Sequence, residues 1–210
     1  MESKGDNSLT NNSAELCYTA FLGERKVASG NLEHVVLTVK DLIPENEWWQ
    51  LLIFDDSTSH QVEVDLRGTK SSVLERLTKS NSSEAMKIQN DHQTPGRGRP
   101  RLGVVPGEIT LLPRHWEWLK NQPGGASVTI RKLVDEARRF HADKDTLRNA
   151  QEATYRFMTV MAGNYAHYEE ALRALYAGDS SLFDQLIESW PTDIREHTKQ
   201  LAVRAFVAKA

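Results

Sequence analysis

Hydrophobic positions along the chain change period several times, and each change predicts a different element. Cys17 to Leu22 and Lys26 to Ser29 are short runs flanking Gly23-Glu24-Arg25, which reads as a hairpin. Leu32, Val35, Val36, Val39 and Leu42 then recur at helical spacing, with Asn31 placed to cap that helix. Trp48 to Phe54 is a dense apolar run of strand length, and Asp55-Asp56-Ser57-Thr58-Ser59 has turn chemistry. Gln61 to Leu66 alternates Val62, Val64 and Leu66 with Gln61, Glu63 and Asp65, which predicts a second hairpin. Val73 to Leu77 adds a short helix. Residues 15–79 therefore read as a small α+β domain of order ββαββα, preceded by a polar segment, 1–14, predicted to be disordered.

Periodicity lapses from Lys79 to Gly96, a polar stretch without aromatic residues, so residues 80–103 read as a flexible basic linker. It returns within residues 104–141. Ile109 to Leu112 favours a strand, Pro113 suits a first helical turn, and Trp116 and Leu119 lie at helical spacing until Pro123-Gly124-Gly125. Ser127 reads as the next N-cap. Ile130, Leu133, Val134 and Ala137 mark one face of the helix that follows, with Arg131, Lys132, Arg138 and Arg139 on the others. Residues 142–210 read as a helical bundle, broken at Gly163-Asn164, Gly178-Asp179 and Pro191, with its aromatic stripes at core spacing.

Charge sharpens this picture. Residues 96–140 carry nine Lys/Arg against four Asp/Glu, net +5, whereas residues 1–95 are net −6 and residues 141–210 net −2. A basic segment inside an acidic chain points to a polyanionic partner for that segment, and double-stranded DNA leads the candidates. Arg97, Arg99 and Arg101 alternate with glycine and Pro100, which keeps the strip narrow and extended. Such a strip fits the minor groove of A·T-rich DNA, about 6 Å wide and strongly negative. Arg97 to Pro100 resembles the Arg-Gly-Arg-Pro core of an AT-hook.

The strand, helix, glycine turn, helix order of residues 108–140 resembles the ribbon-helix-helix DNA-binding fold. That resemblance implies a homodimer whose paired strands enter the major groove. It also implies a phosphate anchor at the start of the second helix, which falls on Ser127 and the amides of Val128 and Thr129. Thr110, Arg114 and Arg131 complete the expected nucleic-acid contacts. One position departs from the pattern: alternation from buried Ile109 and Leu111 leaves Glu108 facing outward, where it repels phosphate. An ordinary strand and helical hairpin packed on the rest of the protein is the competing reading.

Other chemistry is sparse. Cys17 is the only cysteine, so no internal disulfide framework exists, and a reducing, cytoplasmic location is expected. No stretch approaches the ~18 apolar residues of a membrane helix, so no membrane partner is expected. The histidines fall singly, without HExxH or a cysteine partner, and phosphate-loop, nucleophile-elbow and dinucleotide motifs are missing. No cofactor, metal or catalytic residue is expected, and the chain does not read as an enzyme. Asp55 and Asp56, with Glu63 and Asp65, form the one acidic cluster that could hold a divalent cation, although a turn beside a solvated strand face explains the same residues.

Several longer pieces read together: FDDSTSHQVEVDLRG at 54–68, GRGRPRLGVVPGEITLLPRHWEWLKNQPGGAS at 96–127, RFMTVMAGNYAHYEEALRALYAGD at 156–179, and Trp190-Pro191. In order and wording they resemble a bacterial family, domain of unknown function 2239. The resemblance implies a bacterial origin and carries no activity. From the residues, the expected function is a dimeric bacterial DNA-binding regulator of transcription. The alternative is a protein-interaction adaptor whose basic strip is only a tether.

Overall fold

The computed structural model describes residues 17–79 and 107–207. The segment 1–14 expected to be disordered, the Arg97, Arg99, Pro100 and Arg101 strip and the whole of the expected linker, 80–103, lie outside the described residues. Strands β1 (Tyr18–Leu22) and β2 (Arg25–Gly30) form the expected hairpin, turning at Gly23 with φ 57°. Helix α1 (Leu32–Leu42) follows, and the Asn31 side chain accepts from the His34 amide at 2.8 Å, the N-cap bond its position predicts. Strand β3 (Leu51–Asp55) then pairs antiparallel with β1, giving the order β2-β1-β3.

Two expectations for this region are corrected. The run expected as one strand from Trp48 begins as a 3-10 turn, Glu45–Gln50, and β3 starts at Leu51. Trp48 is held there because its indole N–H donates to the Ile43 carbonyl at 3.1 Å, and the Lys40 ammonium lies 5.0 Å over its ring. The fourth strand of the ββαββα order is reduced to a single bridge between Phe54 and Gln61. Beyond it, Asp65 binds both the amide and the guanidinium of Arg67, and Lys40 Nζ donates to the carbonyls of Leu66 and Gly68. Past Val62, whose amide still donates to the Ile53 carbonyl at 2.8 Å, these bonds hold the chain away from β3, so Val64 and Leu66 pack against the core without joining the ladder. A helix, α2, spans residues 70–79 and seats Val73 in that core.

The remaining described elements are α3 (Pro113–Lys120), α4 (Gly125–Met161), α5 (Tyr168–Ala177), α6 (Ser180–Leu186) and α7 (Thr192–Val207). Helix α4 is 37 residues long, about 55 Å at ~1.5 Å per residue. It runs through the boundary expected near residue 141, because neither glycine nor proline interrupts residues 126–161. Its first half forms an arm whose residues 131–144 are all exposed. Its second half buries Ala150, Ala153, Thr154, Phe157 and Met158 against α5 and α7.

Side chains alternate across a sheet, and here both faces are covered. Ala20 and Ile53 face a core with Val35, Val36, Val39 and Val73 from α1 and α2. Phe21 and Phe54 face the other way, into the bundle core of Phe157, Met158, Leu175, Phe183, Ile187 and Ile194. The Phe157 ring lies 5.4 Å from Phe21 and 5.2 Å from Phe54. Polar ties reinforce this joint: Tyr165 Oη donates to Glu24 at 2.7 Å, the Lys26 amide to Asp193 at 2.8 Å, and Arg156 to the Thr58 carbonyl at 2.9 Å. The N-terminal unit and the bundle thus share one core.

Candidate functional site

The basic segment supplies the first candidate surface. Residues 107–112 form no strand within the chain, and Thr110 is exposed in it. The expected Ile109 to Leu112 strand is not formed, and Ile109, expected to be buried, is exposed, because no neighbouring strand among the described residues offers it a ladder. Leu112 has extended backbone and leads into α3, where Arg114 is exposed and Leu119 is buried against α4.

Ser127 is not the N-cap. Helix α4 begins two residues earlier, after Gly124, whose φ of 86° is a left-handed value that glycine adopts without strain. Ser127 instead accepts from the Arg131 guanidinium, through its carbonyl at 3.1 Å and its hydroxyl at 3.3 Å. No side chain caps α4, so the amide of Ser127 belongs to an open first turn, whereas Val128, four residues past the Gly124 cap, is the first donor of the helical ladder. Thr129 lies past that turn, where the helical ladder takes its amide, and its hydroxyl donates to the Gly125 carbonyl at 3.0 Å. Arg114 and Arg131 share this arm with Lys132, Arg138 and Arg139.

A second site was not legible as one in the sequence. The Asp55 carboxylate accepts from the amides of Ser57 and Thr58, closing a tight turn, and Ser59 follows with φ 54°. That turn sends Asp56 inward. Its Oδ2 accepts from Thr19 Oγ1 at 3.1 Å, while its Oδ1 lies 3.8 Å from His197 Nε2 of α7. Beside Asp56 opens a cleft of about 830 Å³, walled by the 56–60 turn, by α4 from Thr146 to Arg156, and by Gln200 and Arg204 of α7. The acidic cluster imagined from sequence is dispersed: Asp55 holds the turn, Asp65 holds Arg67, and among the described residues no three His, Cys, Asp or Glu side chains converge as metal ligands.

His197 is buried, with its ring against Phe21 and Phe157, and neither ring nitrogen has a hydrogen-bond partner. Burial, with the nearby Lys26 charge, holds its imidazole down at about 4 against an ordinary 6.5. Burial pushes the Asp56 carboxyl up, against the Thr19 hydrogen bond and Lys26, which pull it down.

A pH dependence follows. Between pH 6.5 and about 4 the unfolded imidazole takes a proton that the folded one refuses, so stability present above 6.5 is lost as pH falls through that window. The full loss is about 3 kcal/mol at ~1.4 kcal/mol per pKa unit. The raised Asp56 carboxyl offsets part of it by taking its proton first in the folded state. Denaturant melts of wild type and His197→Leu should show the variant with the flatter profile between pH 6.5 and 4; equal slopes would move the pH dependence to other groups.

Fold and sites together define the class: a mixed α+β protein with a small antiparallel sheet, a helical body sharing its core, and a projecting basic arm. The chain belongs to the family described as "Uncharacterized protein conserved in bacteria (DUF2239)", whose model matches residues 17–202. No curated protein and no solved structure matches it. No helix among the described residues is long and apolar enough to cross a membrane.

Proposed function

We propose that the protein is a dimeric DNA-binding regulator of transcription, docking through residues 97–140. One observation carries this reading: the arm leaves apolar side chains in solvent at helical spacing, among a row of cations. Leu133, Val134 and Phe140 of α4 are 46%, 50% and 78% exposed, and Ile109, Leu112 and Trp116 of the preceding segment are exposed too. Arg131, Lys132, Arg138 and Arg139 flank them. A face of this kind is stable once a second copy covers it, and pairing of Ile109 to Leu112 with its own counterpart would complete a two-stranded ribbon. The open first turn of α4 supports a phosphate at Ser127, as a helix N-terminus favours. Arg97, Arg99 and Arg101 then reach the groove beside the ribbon, with A·T-rich duplex preferred.

Retention on duplex DNA at low salt, lost as salt rises, tests the reading. Changing Arg97, Arg99 and Arg101 together to alanine should flatten the salt slope by about two to three, at roughly 0.9 per phosphate neutralised, and abolish preference for A·T-rich duplex. An unchanged slope would remove the strip from the interface. A wild-type protein that ignores DNA at low salt would leave the strip as a tether and favour the adaptor reading.

A further inference from the structure

The cleft beside Asp56 is independent of the arm and of any DNA contact. Its volume, about 830 Å³, lies within the roughly 300–1,000 Å³ of small-molecule sites. Its formal charges sum to zero, Asp56 and Glu152 against Arg156 and Arg204, but they are unequally paired. Glu152 is neutralised by Arg156 at 3.0 Å, and Arg156 is fixed further by donating to the Thr58 carbonyl at 2.9 Å. A guanidinium has five N–H donors, and these two bonds leave three of them for a ligand. Arg204, exposed on α7 at the same cleft, has neither an ion pair nor a hydrogen bond to the described residues. Asn149 and Gln200 add amide groups from the facing helices, and Ala150, Ala153 and Leu201 supply apolar wall. Behind the wall at Asp56 lie buried polar atoms without hydrogen-bond partners, Asp56 Oδ1 and both nitrogens of His197, which do not line the cleft.

We infer that this cleft is a binding site for a small organic anion, a carboxylate or a phosphate ester, held by Arg204 and Arg156 with Asn149 and Gln200 contacting its polar body. Arg204 supplies a guanidinium without an ion pair to the described residues and Arg156 a pre-oriented fork, an arrangement suited to a planar or tetrahedral oxyanion. The solvated mouth of the cleft takes the charged end. A solvated Arg204 that merely sits near the C-terminal end of α7, where a cation is favoured, is the competing account.

The two are separated by titrating the isotope-labelled full-length protein with citrate and, in parallel, with inorganic phosphate at constant ionic strength, following backbone amides. Saturable shifts at Asn149, Arg156, Gln200 and Arg204 are expected, and the tighter of the two probes identifies the oxyanion. Arg204→Ala, which breaks no hydrogen bond or ion pair to the described residues, should weaken that binding about tenfold while other amides keep their positions. The same variant should be retained on duplex DNA as wild type is, so that this site and the arm succeed or fail separately. No saturable shift with either anion, or undiminished affinity in Arg204→Ala, overturns the proposal. Loss of DNA retention in Arg204→Ala also overturns it, by assigning the cation to nucleic acid.

Discussion

Phe157→Ala should destabilise the protein by about 3–5 kcal/mol, a large share of the roughly 5–15 kcal/mol that holds a domain folded. Phe157 is fully buried and touches three rings from three other elements: Phe21 of β1, Phe54 of β3 and His197 of α7. Removing it opens a cavity where sheet and bundle meet, and neither side can close it without moving the other. Amide exchange should therefore show β1 and α7 losing protection together, in one denaturant transition. Two separate transitions, with β1 still protected after the bundle has opened, would mean that residues 17–79 form an independent unit.

Leu133→Asp combined with Val134→Asp should turn a dimer into a monomer and remove DNA retention without lowering the stability of the body. Both side chains are about half covered in the single chain, so pairing buries the rest at roughly 0.8 kcal/mol each. A symmetric interface uses each twice, so the double change should weaken association at least about a hundredfold before the cost of desolvating aspartate is added. Thr110→Pro is the companion variant, because it removes one backbone donor and touches no helix. If the arm pairs through a strand ribbon, it too should sediment as a monomer. If Thr110→Pro remains dimeric while the aspartate pair does not, the copies meet through α4 alone. A wild type that is monomeric at micromolar concentration ends the dimer reading altogether.

Local physics was readable from residues alone. The Gly23 hairpin, the Asn31 cap on α1, the start of α3 at Pro113 and the breaks at Gly163, Gly178 and Pro191 each depend on one or two side chains acting on their own backbone. The alternation of Val62, Val64 and Leu66 correctly marked which side chains are buried. It could not show that Lys40 and Asp65 pull that segment off the sheet, since burial and ladder pairing are separate events. The boundary expected near residue 141 falls inside α4. Without a helix breaker the backbone continues, and Leu133, Val134 and Phe140 stay in solvent on an arm that meets no other element of the described chain there. The cleft and His197 were beyond any reading of the chain in order. A histidine at helical spacing looks like any other, and Asp56 lies more than a hundred residues away. Only the tertiary structure, by laying the sheet's Phe21 and Phe54 against α4 and α7, sets that histidine among aromatic rings beside a carboxylate, because desolvation depends on everything packed around a group and on almost nothing adjacent to it in sequence.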